Sequence, residues 1–253
     1  MKLSIELNPA LANLPVYQPG RPIEEVAREL GLPAADIIKL ASNENPMGPS
    51  PAALKAIATT ASQVHLYPDG NAFYFKHALA KKLGVDTSNL MLGNGSNEIL
   101  EFVGHALVQP GTDVVASEYC FAVYPIVTML FGGRFISVPA KNYGHDLPAM
   151  LKAITPRTKI VFVADPNNPT GTRCDRQALL DFLKRVPSHV LVVLDQAYYE
   201  FLDEPVDLIP MIKNGEMSNL ILMRTFSKIY GLAGLRLGYG IAAPELVDAL
   251  EKI

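Results

Sequence analysis

No tryptophan and only two cysteines occur in the 253 residues of this chain. Cys120 and Cys174 stand far apart, without the close pairing of a metal site or the even set of a disulfide framework. No metal is expected, and this cysteine usage fits a reducing, cytoplasmic setting. Charge of one sign is lacking too. The formal net charge is −3 and the two signs are intermixed, which leaves no footprint for nucleic acid and no stripe for a membrane surface. Long hydrophobic runs are missing. The segment Met1–Ala10 has no apolar stretch of the signal-peptide kind, and the apolar stretch 186–195 is broken by Pro187, Ser188 and His189. There is no internal repeat and no low-complexity tract.

What is present is enough apolar material for a sizeable core: 49% of residues are hydrophobic and 19% charged, consistent with one large domain or one and a half. Residues 11–50 are proline-rich and irregular, with a short helix near Ile23–Leu30 closed by Gly31. Ser50 followed by Pro51 is an N-cap with proline at the first helical position, so Pro51–Thr60 is expected to be helical. Asn71–Leu83 reads as a helix stopped by Gly84. From residue 89 onward short apolar runs alternate with helical segments. Strands are expected at 89–92, 113–116, 134–138, 159–164, 190–194 and 219–224, with helices at 97–108, 122–131, 147–154 and 175–185. That alternation predicts an α/β fold with a buried, mostly parallel sheet and helices on both faces. Ligands of such sheets gather at the carboxyl ends of the strands.

The most informative stretch is Thr225-Phe226-Ser227-Lys228-Ile229-Tyr230-Gly231-Leu232-Ala233-Gly234-Leu235-Arg236. A partly desolvated, immobilised amine can attack a carbonyl, and a hydroxyl with a guanidinium nearby suits a phosphate. Together they describe a pyridoxal phosphate (PLP) site; the plain alternative is a surface lysine before a glycine-rich hinge. Four further motifs follow predicted strands. Gly93-Asn94-Gly95-Ser96-Asn97 opens a helix whose free N–H groups could hold an anion, or is an ordinary turn. Asp165-Pro166-Asn167-Asn168-Pro169 is a stiff loop in which Asn168 could donate to a phenolate oxygen, or is simply a turn. Asp195 ends an apolar strand, so it is expected to be buried and paired, either with a pyridinium N–H or with backbone amides as a helix cap. Tyr119-Cys120-Phe121-Ala122-Val123-Tyr124 offers an aromatic to stack on a ring, or an ordinary core aromatic.

The order of these motifs resembles that of the class I/II aminotransferase superfamily over essentially the whole chain. Ser227-Lys228 through Gly231-Leu232, Gly234-Leu235-Arg236 matches its signature. The N-terminal stretches Leu14–Val26, Lys39–Ser50 and Leu66–Gly70 resemble the histidinol-phosphate aminotransferase group within it. The resemblance implies a three-layer α-β-α large domain of the fold-type I PLP enzymes over 51–253, with 1–50 forming an N-terminal arm and part of a small domain. It implies that Lys228 is the Schiff-base lysine, that Asp195 pairs with the pyridine nitrogen and that Asn168 and Tyr198 contact the phenolic oxygen. Phe121 would stack on the ring, and Ser96, Asn97, Ser227 and Arg236 would hold the phosphate. Tyr67 would reach the phosphate in the other subunit of a homodimer, and Tyr17 would lie near the substrate. Gln196 departs from the glutamate often found after the aspartate.

Relatives continue past Ile253 into a smaller C-terminal domain that supplies arginines to the substrate, so the sequence reads as a piece of such an enzyme, with helix 244–253 carrying no C-cap. The implied reaction is amino transfer between histidinol phosphate and 2-oxoglutarate in histidine biosynthesis. The alternatives are a related PLP enzyme acting on aromatic amino acids or a phosphothreonine-type substrate, and a non-catalytic PLP-fold binding module.

Overall fold

The computed structural model describes residues 5–12 and 14–253; the first four residues and Asn13, within the expected N-terminal arm, lie outside the described residues. Seven strands form one sheet: β1 (Leu90–Asn94), β2 (Asp113–Ser117), β3 (Arg134–Val138), β4 (Thr158–Ala164), β5 (Leu191–Asp195), β6 (Leu220–Thr225) and β7 (Leu237–Ile241). Their spatial order is β1-β7-β6-β5-β4-β2-β3. The pairs from β6 through β5, β4 and β2 to β3 are parallel. β7 is antiparallel to both its neighbours, which leaves β1 running with the rest.

The helices are α1 (Ile23–Leu30), α2 (Pro51–Thr60), α3 (Phe73–Leu83), α4 (Ser96–Leu107), α5 (Val123–Leu130), α6 (Leu147–Ala153), α7 (Arg176–Arg185), α8 (Ile209–Lys213) and α9 (Pro244–Leu250). Alternate residues of each central strand feed opposite cores, as the period of two requires. Val161 and Val163 of β4 pack with α3, α6, α7 and α8, whereas Ile160 and Phe162 pack with α4, α5 and α9. The result is the expected three-layer α/β arrangement, with the central strands β2, β5 and β6 buried along their length.

The expected caps are formed. The Ser50 hydroxyl accepts from the Ala53 N–H at 3.2 Å, and Gly31 and Gly84 take left-handed conformations at φ 66° and 68°. Two expectations need correction. The helix expected from Asn71 begins at Phe73, because the Asp69 carboxylate accepts from the N–H groups of both Asn71 and Phe73 and holds the chain in a turn until then. No strand was expected after 224, yet β7 lies inside the sheet. Gly238 in it is there for space: a Cβ on it would stand 2.1 Å from the Ser96 nitrogen.

Candidate active site

β1, β2, β4, β5 and β6 share one direction, so the five motifs that follow them emerge on one edge of the sheet. There they line a cavity of about 530 Å³. Ser96, Asn97, Phe121, Asn168, Asp195 and Tyr198 line it, with Ser227, Lys228, Arg236 and Tyr17 completing the set named from the sequence. Tyr67 is not part of it; its side chain is fully exposed on the surface.

At one end of the cavity α4 begins. Its N-cap, Gly95, has φ 73° and no side chain caps the first turn. The Gly95 N–H donates to the Arg236 carbonyl at 2.7 Å, and the Arg236 guanidinium lies so close that a Cβ on Gly95 would be 2.4 Å from Nη2. Arg236 itself takes a left-handed φ of 52° and donates from Nη1 to the Ala233 carbonyl at 3.1 Å, which aims the cation across the helix start. Helix dipole, free N–H groups and guanidinium thus converge, with the buried Ser227 hydroxyl beside them. Thr225 fixes that serine: its Oγ1 donates to Ser227 Oγ at 3.0 Å and accepts from the Ser227 N–H at 3.1 Å.

At the other end Asp195 is buried. Its Oδ1 accepts from the Ala197 N–H at 3.0 Å and its Oδ2 from the Tyr124 hydroxyl at 2.8 Å. Burial pushes its carboxyl up to about 6, against these two hydrogen bonds and the charge of Lys228. Asp113, the buried aspartate at the far edge of the same sheet, behaves in the opposite way. Arg134 grips it with two hydrogen bonds, at 2.9 and 3.0 Å, and holds its carboxyl below the ordinary range. One aspartate is neutralised within the chain and is structural. The other faces a cavity with neutral donors behind it, and so suits a protonated ring nitrogen arriving from the cavity side.

Lys228 stands between the two ends, half-buried, and burial lowers its ammonium below the ordinary lysine range, opposed by Glu44 and Asp195. Its Nζ lies 5.6 Å from the centre of the Tyr198 ring. Of the two neighbouring asparagines, Asn168 faces the cavity, whereas buried Asn167 braces the loop by donating to the Tyr119 carbonyl and the Thr170 hydroxyl. Gln196 is buried outside the cavity, accepting from Arg224 Nε at 2.9 Å, and Arg224 also lies over the Tyr199 ring. Reading motifs one strand at a time left three contributors unassigned. Tyr124 is one. Asn43, which donates to the Tyr198 hydroxyl at 2.9 Å, and Ser42 are the others. Helical spacing from Phe121 was the available signal for Tyr124, since three residues on in a helix start is a neighbouring position that turns toward the core.

The chain belongs to the class I and II aminotransferase family, whose model matches residues 35–253. Within that family it is 50% identical over 246 residues to a histidinol-phosphate aminotransferase of Moorella thermoacetica, covering 96% of this chain and 63% of that protein. It is 49% identical over 253 residues to one of Akkermansia muciniphila, covering 99% of the chain and 69% of the relative. A crystal structure of histidinol-phosphate aminotransferase from Sinorhizobium meliloti in complex with pyridoxal-5'-phosphate superposes with a TM-score of 0.89 at 31% identity, over 100% of this chain and 67% of that one. The chain therefore spans about two thirds of the length of the relatives it matches.

Proposed function

We propose that the chain binds pyridoxal phosphate and forms the cofactor domain of an enzyme that transfers the amino group of histidinol phosphate to 2-oxoglutarate. One observation carries this. A half-buried lysine, a buried aspartate without a structural cation and a guanidinium at an uncapped helix start all meet in one cavity. The cradle at Gly95, where a Cβ would strike Arg236, fits a phosphate, and Asp195 fits the ring nitrogen at the opposite end. Relatives about half identical to the chain support the choice of substrate. Residues 51–253 are read as the cofactor domain and 1–50 as an arm with part of a small domain. The enzyme is read as a cytoplasmic homodimer to which Tyr67 contributes across the interface.

Pyridoxal phosphate, when bound, supplies an aldehyde for amines and a ring that accepts electrons from the substrate carbon. The residues of the chain do the rest. Ser96 and Asn97 offer N–H groups, and Ser227 and Arg236 a hydroxyl and a charge, to anchor the phosphate. Asp195 holds the proton on the ring nitrogen. Asn168 and Tyr198 donate to the phenolic oxygen, and Tyr198 is free to do so because its own lone pair is occupied by Asn43. Phe121, which lines the cavity, would cover one face of the ring. Lys228 is the amine that would hold the aldehyde carbon, with loss of water, until the substrate amine exchanged for it; its Nζ would then be free to take and return the proton of the substrate carbon. Its lowered basicity keeps more of the amine unprotonated at neutral pH than a solvent-exposed lysine would.

The test uses the product of the whole open reading frame, loaded with pyridoxal phosphate. Histidinol phosphate, phenylalanine and phosphothreonine are each mixed with it, and the cofactor absorbance is followed through a single half-reaction. Rapid bleaching of the visible band with histidinol phosphate, and glutamate formation on adding 2-oxoglutarate, is expected. A faster reaction with either other amine would reassign the substrate. No reaction with any amine, despite bound cofactor, would favour a binding module.

A further inference from the structure

Asp195 is held from behind by a residue to which the chemistry above gives no part. Tyr124 is wholly buried on α5, with its ring stacked on Phe162 at 4.4 Å between centroids and 11° between planes. The same ring meets Phe121 edge-on at 5.8 Å. Its hydroxyl reaches past both to Asp195 Oδ2 at 2.8 Å. The Ala197 N–H holds the other oxygen. An ionised carboxylate has about four acceptor positions. One on each oxygen is thus taken on the protein side, which fixes the rotation of the group and turns its remaining lone pairs toward the cavity.

We propose that Tyr124 is a positioning residue for the cofactor: its hydroxyl fixes the Asp195 carboxylate, as an anion, in the orientation that receives the ring N–H. The proposal rests on the reading of Asp195 given above. Packing alone does not account for this tyrosine, because phenylalanine would fill the same volume and keep the stack on Phe162. What the hydroxyl adds is a donor that does not switch. Burial first, and then the charge of Asp195, push the Tyr124 phenol well above its ordinary value. It stays protonated at any pH at which the protein works, so toward Asp195 it can only donate. The hydrogen bond in turn opposes the burial that drives the Asp195 carboxyl up to about 6. Without it the carboxyl would be neutral over more of the physiological range, and a neutral acid cannot hold a protonated pyridine.

The experiment compares wild type, Tyr124→Phe, Asp195→Asn and the double variant. In the protein without cofactor, the infrared band of the protonated Asp195 carboxyl is assigned by its loss in Asp195→Asn. In Tyr124→Phe the midpoint of that band is expected to move up by roughly one to two pH units, the equivalent of one charge-assisted hydrogen bond. Pyridoxal phosphate affinity, read from fluorescence quenching, is expected to fall about tenfold in Tyr124→Phe, and by less than about twofold when the same change is made in Asp195→Asn. General loosening of the core would instead lower affinity equally in both backgrounds. That result, or an unmoved infrared midpoint, overturns the proposal. Failure of the cofactor reading looks different: pyridoxal phosphate then binds none of the four proteins, while the infrared comparison is unaffected.

Discussion

The Nζ of Lys228 donates to the main-chain carbonyl of Ser42 at 3.0 Å, tying the loop after β6 to the segment before α2. The tie is one of several. Asn43 donates to the Tyr198 hydroxyl, Asn45 donates to the Ile229 carbonyl at 2.8 Å, and Gly231 packs so closely on Gly48 that a Cβ would be 2.4 Å from its carbonyl oxygen. Ser42 and Asn43 both take positive φ, 69° and 50°, to make this turn. The Ser42 carbonyl gives the lysine a fixed resting partner whenever its amine is free.

Lys228→Ala is expected to abolish incorporation of pyridoxal phosphate that borohydride makes permanent. Peptide mapping of the reduced wild-type protein should place the label on Lys228. Label on any other lysine would show that the attachment point is misassigned.

Asp195 predicts a pH dependence of stability in the cofactor-free protein. A carboxyl that ionises less readily in the folded protein than in the unfolded chain stabilises the fold while protonated, below the ordinary value of 3.8. That contribution is lost as pH rises through about 6. At 1.36 kcal/mol per unit the loss is at most about 3 kcal/mol. Asp195→Asn is therefore expected to melt above wild type at pH 7.5, with the gap closing toward pH 4. A gap that stays constant across this range would mean that the carboxyl is not perturbed.

Gln196→Glu should spare cofactor binding, in contrast to Asp195→Asn, because Gln196 lies outside the cavity. It should also stabilise the fold. Arg224 is buried, and its Nη2 has no hydrogen-bond partner among the described residues. A carboxylate at 196 would meet that charge, and a gain of about 1 kcal/mol would raise the Tm by about 2–4 °C. A drop in Tm would show that desolvating the new carboxylate outweighs the pairing.

Tyr67 is expected to act on the site of a partner subunit. In the product of the whole reading frame, Lys228→Ala and Tyr67→Ala chains, each impaired alone, should regain part of the activity when mixed. One site of each mixed dimer then has both residues intact. Demonstrated subunit exchange without recovery would count against shared sites.

Much of this arrangement was legible in the sequence, and for a stated reason. Asp195 and Lys228 follow apolar runs that could only be buried strands, so their place at the sheet edge follows from the period of the chain. Gln196, the next residue along, points away from the cavity toward Arg224. Other features were hidden. β7 contains Gly238 and Gly240, residues that ordinarily weaken strand readings, and needs both because α4 and Met91 approach closely. Tyr124 sat in a motif read for a stacking aromatic, and nothing local told that its hydroxyl meets a residue from β5. The turn at Ser42 and Asn43 was hidden because serine gives no sign of a positive φ, and asparagine, though enriched there, marks it far less sharply than glycine. Contacts between segments distant in sequence were the common loss.

The reversed strand has one more consequence. Because β7 returns alongside β6, the single connection between them, 226–236, carries Ser227, Lys228 and Arg236, and both of its ends are pinned in the sheet. Lys228 and the pair Ser227 and Arg236, proposed above to hold the aldehyde and the phosphate, are thus parts of one short bridge and not of two independent elements. On that proposal, lifting this bridge would release both grips on the cofactor together, and fastening one grip would shelter the whole span. Loading with pyridoxal phosphate should then slow amide exchange across 226–236 as a block, and make the same span the first to open when the cofactor leaves.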